Sequence, residues 1–299
     1  MSSEIHSVLQ SSVPIGFDAG LSLGLLIYVR GWFRLRSVSR NLIPAWRLAA
    51  FLAGVGCVWL AIGSSLAAFD EVSLSIHMIQ HLLLMAIAAP LILLGAPELP
   101  LLRGLPQTVA RNIFGPILRW RVTKSLAALF DNLAVAWLAA ALTLIVWHIP
   151  PIFELALRST ALHVFEHATF FVAGLIFWRP VIEPWPTNAR AARWIIPVYL
   201  FFATLPCDAL SGFLAFCDRV VYSSYLAVPQ AFNISPLQDQ QRAAALMWVS
   251  VTIIYLVPAT TITIQILSPR ANQQTRESAA ADPLGVPPQH LKIPKIEML

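Results

Sequence analysis

Charged residues are scarce in this sequence, and their scarcity excludes an ordinary soluble domain. Asp, Glu, Lys and Arg make up 12% of the 299 residues, about half of the ~25% that is usual in soluble proteins. Hydrophobic residues reach 58%, and the mean hydropathy is +0.70. The net charge of +5 comes with no long basic run, so it does not indicate a nucleic-acid partner. The composition instead places the chain in the membrane class.

Cysteine is almost as scarce, which excludes a disulfide framework. Only three cysteines occur, Cys57, Cys207 and Cys217. Cys207 and Cys217 would lie about 15 Å apart on one helix, at a rise of 1.5 Å per residue, which is too far for a disulfide. We therefore expect the fold to rest on the packing of apolar and small residues between helices.

Long apolar runs are what the sequence has in abundance. A membrane-spanning helix needs about 20 mostly apolar residues, and seven segments meet that need. They predict an all-α, polytopic membrane bundle within residues 1–269, followed by a polar, Pro-rich cytoplasmic tail over 270–299 that we expect to be disordered. The predicted spans are residues 14–33, 48–69, 72–94, 126–147, 161–178, 194–216 and 243–267.

The positions of Lys and Arg predict the orientation of this bundle. Basic residues concentrate in the loops at 30–47, 95–125 and 179–193 and in the tail. Because cytoplasmic loops are enriched in Lys and Arg, we predict an outside N-terminus and a cytoplasmic C-terminus. The predicted location is the bacterial inner membrane, as a multi-pass protein in contact with the lipid bilayer. The opposite side carries only Arg158, Arg219 and Arg242.

Five of the seven histidines fall at the outer side of the predicted bundle. Two pairs are spaced i,i+4, which places both imidazoles of a pair on one helix face, and a fifth histidine ends the fourth span. Histidine at this depth is costly unless it is paired, hydrated or coordinating. The pattern therefore has two interpretations that it supports about equally. The histidines form a metal site, or they are hydrogen-bonded residues at the membrane interface. The candidate ligands are His77, His81, His148, His163 and His167.

Two methionines narrow the choice of metal. Imidazole suits copper, zinc, iron and nickel. Met78 and Met85 flank the first histidine pair, and thioether sulfur is a soft donor that favours Cu(I). We therefore predict copper, as Cu(I). Haem is the alternative, although an i,i+4 pair suits it less well, since one histidine from each of two helices is enough for a bis-histidine haem.

Residues 163–167 read HVFEH, which matches the H-x-x-E-H pattern of one class of zinc proteases. In a protease Glu166 would be the general base. Motifs of five residues recur by chance, however, and no candidate carboxylate ligand follows on a nearby predicted helix. We therefore predict that Glu166 orients a histidine and that the protein is not an enzyme.

Two aspartates in the predicted helices have more than one interpretation. Asp239 begins the seventh helix, four residues before the predicted span, with Met247 further along the same face, and it is either a cap near the helix dipole or part of the site. Asp208 lies about 12 Å below the outer end of the sixth span, at a depth similar to that of His81. A carboxylate at that depth should be paired, protonated or functional, and the sequence does not distinguish these.

Four segments together resemble a known family, the multi-span CtaG-type cytochrome c oxidase assembly factors. The similarity is carried, in order, by HMIQHLLLMAIAAPLILLGAP (77–97), VWHIPPIFELAL (146–157), HVFEHATFFVAGLIFWRPV (163–181) and SPLQDQQRAAALMWV (235–249). It runs over roughly residues 15–267 and implies a seven-helix membrane protein needed to assemble haem–copper oxidase. By position, the family's polar motif residues are His77, Gln80, His81, His148, His163, Glu166, His167, Asp239 and Gln240.

The resemblance implies a chaperone function in copper supply. The protein would hold copper transiently and pass it to the catalytic subunit of the oxidase, with periplasmic copper chaperones as further candidate partners. The sequence departs from the family pattern at Ala244 and Ala245, where we expect a glycine, and at Asp208. The alternative function is a haem-binding membrane electron carrier or quinol oxidoreductase. Around the ligands we expect Met78, Gln80, Met85, Glu166, Asp208, Asp239, Gln240 and Met247.

Overall fold

The computed structural model describes residues 15–38, 43–182, 194–227 and 234–268. Helices and their connections account for these ranges, with no strand among them, which confirms the predicted all-α class. Short π-helical and 3-10 turns extend or join several of the helices. The α-helices are α1 (Ile15–Val38), α2 (Ala45–Val58), α3 (Leu74–Leu82), α4 (Ala89–Leu94), α5 (Glu98–Gly104), α6 (Gln107–Val109), α7 (Gly115–Arg119), α8 (Arg121–Phe130), α9 (Leu133–Trp147), α10 (Pro150–Arg158), α11 (Thr160–Ile182), α12 (Ile195–Phe216) and α13 (Pro236–Leu267).

Several helical stretches are long and apolar enough to cross a membrane, as the sequence predicts. A further span results if α8 and α9 count as one helix that is bent by 78°. Within the described residues α1 does not qualify, although it is 24 residues long and coincides with the first predicted span. The predicted tail lies outside the described residues. The five stretches that qualify alone are Ala45–Phe69, Leu74–Leu94, Thr160–Ile182, Ile195–Phe216 and Pro236–Leu267.

The segment 95–125, predicted as a loop, is largely helical and packs against α1. Its first helix, α5, lies against α1 at a contact between two glycines. A Cβ on Gly31 would lie 1.7 Å from the Pro100 carbonyl oxygen, and one on Gly104 would lie 1.8 Å from the Ile27 carbonyl oxygen. Only glycine at both positions allows the two backbones to approach so closely.

A π-helical segment, Leu83–Ala88, continues α3 and packs tightly against α11. π-Helical turns leave carbonyl groups outside the regular hydrogen-bond ladder, and here the Met85 carbonyl accepts a hydrogen bond from Trp178 Nε1 at 3.1 Å. Gly174 of α11 faces the same turn, where an added Cβ would lie 2.7 Å from the Met85 carbonyl oxygen. These contacts fix the register between α3 and α11, which carry the two histidine pairs.

The connection between the fourth and fifth predicted spans is itself a helix, α10, and it covers the histidines. Its start is set by Pro150 and Pro151 in the first turn, where a missing N–H costs nothing. Phe153 is fully buried, with its ring centroid 5.0 Å from that of His77 and 4.1 Å from that of Tyr222. The α10 helix therefore closes the end of the bundle at which the histidines lie.

Candidate metal centre

The helices α3 and α11 bring the two histidine pairs face to face. Within each pair the ring centroids are 4.4 Å apart, as i,i+4 spacing on a helix dictates. Between the helices, His77 lies 5.4 Å from His163 with nearly parallel rings. His81 lies 5.4 Å from His167. Four imidazoles thus share one small volume, which we call the histidine cluster, together with His148.

His148 joins the cluster from the end of α9 and points a free lone pair toward sulfur. Its ring centroid is 6.2 Å from that of His81. Its Nδ1 lies 2.7 Å from the Leu144 carbonyl oxygen, a contact that requires the ring proton on Nδ1. In the neutral ring Nε2 is then unprotonated, and it lies 3.3 Å from Met78 Sδ.

Two carboxylates lie beside the histidines and divide the cluster into two overlapping groups. Glu166 Oε1 is 3.6 Å from His77 Nε2 and 3.5 Å from His81 Nε2. Asp70 Oδ2 is 3.6 Å from His163 Nε2. In the first group, one possible ligand atom from each residue lies within 4.8 Å of the other two, and the residues are Asp70, His77 and His163. The second group meets the same distance limit and consists of His77, His81 and Glu166. His77 belongs to both groups. The two groups together therefore offer more donor atoms than a single metal ion needs.

Asp70 is a member that the sequence interpretation missed. It lies in the two-residue gap between the predicted spans 48–69 and 72–94, where nothing in the sequence pattern indicates a ligand. In the structure the turn folds back so that the carboxylate points at His163, and Tyr225 Oη donates a hydrogen bond to the Asp70 carbonyl oxygen at 2.9 Å. Burial is the main cause that raises the pKa of the Asp70 carboxyl to about 7.

The cluster holds many buried polar atoms that make no hydrogen bond, although some of them face one another at 3.5–3.6 Å. His77 and Glu166 are fully buried. A buried polar atom that makes no hydrogen bond costs about 1–3 kcal/mol, so a group of this size indicates that a cation or bound water completes it. Among the described residues, the buried atoms without a hydrogen-bond partner include both ring nitrogens of His77 and of His81, Nε2 of His163 and of His167, and both carboxylate oxygens of Glu166.

Aromatic rings fix the orientation of two imidazoles. The Phe170 ring stacks on His81 with a centroid distance of 3.9 Å. Phe153 packs against His77 from α10. Because these rings are apolar, they exclude water from one side of each imidazole and leave the other side facing the remaining donors.

Asp239 does not enter the cluster but positions the helix that carries half of it. Its own helix, α13, is capped by Ser235 and Gln238 in a reciprocal capping box. The Asp239 carboxylate instead accepts hydrogen bonds across the bundle from the N–H of Leu74 at 2.7 Å and from the Ser75 hydroxyl at 2.5 Å. Asp239 is therefore the cap of α3, a neighbouring helix, rather than of its own.

Two glutamines of the predicted motif make fixed contacts with backbone. Gln80 Nε2 donates to the Ala61 carbonyl at 2.9 Å. Gln240 Oε1 accepts from the Val221 N–H at 2.7 Å, and its Nε2 donates to the Leu214 and Arg219 carbonyls, each at 3.2 Å. Both side chains hold segments around the cluster in place.

The other residues that we expected around the ligands divide into two groups. Met78, Met85 and Met247 line a cavity beside His81 and His148. Asp208 stands apart, because no hydrogen bond or ion pair joins it to the cluster within the described residues. Its Oδ1 is buried without a partner there.

Apolar helices of membrane length that enclose a buried set of histidines and carboxylates define this protein as a polytopic membrane protein with a candidate metal centre. The chain belongs to the cytochrome c oxidase caa3 assembly factor family, whose sequence profile matches residues 26–268. This match confirms the resemblance that the four motif segments carry.

Similar proteins occur in mycobacteria. An uncharacterized protein of Mycobacterium leprae is 24% identical over 261 residues, and one of Mycobacterium bovis is 25% identical over the same length. Each alignment covers 85% of this chain but 38% of the relative, so the chain spans about two-fifths of the length of these relatives. No solved structure matches the chain.

Proposed function

We propose that this protein binds Cu(I) at the histidine cluster and helps to fill the copper site of haem–copper cytochrome c oxidase. Membership of an oxidase assembly family supports the second half of the proposal. The observation that carries the first half is the set of imidazole nitrogens and carboxylate oxygens that lie buried between α3 and α11 without a hydrogen bond. Imidazole is a good copper ligand, and a carboxylate compensates the charge of a buried cation.

The overlap of the two donor groups at His77 suits delivery better than storage. A carrier has to release its ion, and release is fastest when ligands exchange one at a time. An ion held by His77, His81 and Glu166 can move toward Asp70 and His163 while it keeps His77. We infer from this a non-catalytic role, with copper as cargo and the oxidase catalytic subunit as the recipient.

We also propose seven spans, an outside N-terminus and a cytoplasmic C-terminus in the bacterial inner membrane. The segregation of Lys and Arg supports this orientation. Five stretches of the described chain qualify alone and the bent α8–α9 pair would be the sixth span, so helix α1 would be the seventh. It packs on the bundle through Tyr28, whose hydroxyl donates to the Gly95 carbonyl at 2.8 Å. Its ring also stacks on Phe51 at 3.6 Å. This topology turns the cluster to the outer side, where periplasmic copper chaperones would supply it.

Two observations favour this function over the alternatives. The cavity beside the cluster has a volume of about 50 Å³, which is room for a few water-sized occupants such as a metal ion and not for a haem. Glu166, the base that a protease would need, is fully buried behind His77 and His81, which keeps a peptide substrate away from it.

Copper binding by the purified full-length protein tests the proposal. The protein is loaded with Cu(I) without oxygen, freed of loose metal and analysed for copper. We expect bound copper in the parent protein and its loss from the cluster in the His77→Ala/His81→Ala variant. His290→Ala, in the polar tail, is the matched control and should bind as the parent does. A folded parent protein that retains no copper would contradict the proposal.

A further inference from the structure

A cavity extends from the histidine cluster into the bundle, between α3, α9, α11, α12 and α13. His81 and His148 form one end of its lining. The lining continues to Trp137, about 16 Å from His148 along α9 at 1.5 Å per residue, and to Tyr255 of α13. An ion in the cluster would therefore face a partly open space that leads along the bundle.

Sulfur is concentrated in the lining of this cavity. The chain has five methionines, of which Met1 and Met298 are at its ends. The three internal ones, Met78, Met85 and Met247, all line the cavity, as does Cys207. Met78 and Met85 lie about two turns apart on α3 and its π-helical continuation, whereas Cys207 and Met247 come from α12 and α13, so three separate segments of the chain bring the sulfurs together.

The contact between His148 and Met78 links the cluster to these sulfurs. In the neutral His148 ring, with the proton on Nδ1 toward the Leu144 carbonyl, neither His148 Nε2 nor Met78 Sδ carries a hydrogen toward the other. Their separation of 3.3 Å thus places two lone pairs together. A soft cation that accepts both would replace this unfavourable contact with two coordinate bonds.

Cys207 is available as a ligand because its thiol makes only long contacts. It is buried, with Sγ 3.7 Å from Ser211 Oγ and 4.0 Å from the Met247 carbonyl oxygen. A cysteine thiolate with Cu(I) is a neutral pair, which suits an apolar space. No carboxylate belongs to the lining that the described residues form, so a hard divalent cation has little to bind there.

We infer that this sulfur-lined cavity is a second Cu(I) site, which receives the ion from the histidine cluster through His148 and Met78. The inference rests on the proposed function, since the cluster supplies the ion. The step is a ligand exchange without change of oxidation state, in which copper–nitrogen bonds break and copper–sulfur bonds form. When Cys207 binds as the thiolate, its proton moves to an imidazole nitrogen that the ion has left.

X-ray absorption of the purified full-length protein, loaded with Cu(I) or with redox-inert Ag(I), tests the inference. We expect nitrogen neighbours at substoichiometric metal and an added sulfur shell as more metal binds. In a Met78→Leu/Met85→Leu/Met247→Leu/Cys207→Ala variant the sulfur shell should vanish while the nitrogen-bound ion remains. Leucine keeps most of the volume of methionine. Cys57→Ala/Cys217→Ala is the control, because neither cysteine lines the cavity, and it should leave the sulfur shell intact.

The outcomes separate this inference from the proposed function. A parent protein with nitrogen and oxygen neighbours only, at every metal load, would show that the sulfurs serve packing and would overturn the inference alone. A parent protein that binds no metal would contradict both. The spectra of the parent protein need no variant, so the test remains valid if the quadruple variant fails to fold. In that case the single variant Met85→Leu replaces it and should lower the sulfur contribution to the spectrum.

Discussion

At Asp239 a carboxylate of α13 accepts hydrogen bonds from the Leu74 N–H and from the hydroxyls of Ser73 and Ser75. These donors form the start of α3, and His77 follows within the same helix. The carboxylate satisfies N–H groups that a helix start leaves unpaired and complements the helix dipole. The geometry of the cluster thus depends on a residue of another helix that does not touch it.

Replacing Asp239 should therefore destabilise the protein and weaken copper binding together. We expect Asp239→Ala to cost roughly 1–3 kcal/mol for each buried donor left unpaired, and Asp239→Asn to cost less because one acceptor oxygen remains. Thermal unfolding in detergent and copper content measure the two effects. Gln238→Ala is the control, since Gln238 caps only its own helix, and it should cost ~0.5–1 kcal/mol. Equal effects of Asp239→Ala and Gln238→Ala would contradict this role.

Among the site residues, those on a regular helix could be predicted from the sequence, because i,i+4 spacing fixes which side chains share a face. The pairs His77/His81 and His163/His167 are of this kind. Asp70 could not be predicted, since its place beside His163 depends on how a turn folds back between two helices. The role of Asp239 was equally hidden, because its hydrogen-bond partners are 164–166 residues away in the chain.

The contact between α11 and the π-helical segment Leu83–Ala88 sets how the two histidine pairs meet. Gly174 permits this contact, since a Cβ there would lie 2.7 Å from the Met85 carbonyl oxygen and 2.9 Å from Met85 Cα. Both are backbone atoms, so a rotamer change cannot relieve the clash. The helices would have to separate, and His81 would move with the segment.

We predict that Gly174→Ala lowers both the thermal midpoint and the copper content of the purified protein. In an unconstrained helix the same change would stabilise by ~1 kcal/mol, because glycine is a poor helix former. Gly212→Ala is the matched control, as a Cβ there would meet no atom within 4 Å, and it should leave both quantities unchanged or raise stability slightly. If Gly174→Ala matched Gly212→Ala, the close approach would have no role in the site.

The positions of whole spans could be predicted from the sequence better than the positions of their ends. Hydrophobic runs of membrane length predicted every long apolar stretch, whereas the fourth span begins with a bend at 131–132 that hydropathy cannot detect. Local polar chemistry marks the bend: Asn132 Oδ1 accepts the Ala134 N–H at 2.9 Å, and Asp131 pairs with Arg179 at 2.6 Å. The helices at 98–119 were missed because they are short and rich in polar residues.

Over the whole molecule, the proposed orientation predicts where a fused reporter resides. A reporter that is active only outside the membrane should be inactive when fused after Ser268, because α13 would end in the cytoplasm. The same reporter inserted after Ser159, between α10 and α11, should be active. Activity after Ser268 would mean that the number of spans is even, and that α1 or the bent α8–α9 pair does not cross the membrane.

The copper content of the oxidase in cells that carry His77→Ala/His81→Ala tests the central claim most directly. The variant should still insert, since packing rests on apolar and small residues. We predict that purified oxidase from these cells has a lowered copper-to-haem ratio with haem retained, and that excess copper in the medium partly restores the ratio by mass action. Oxidase with its full copper complement in the double variant would contradict delivery by the histidine cluster.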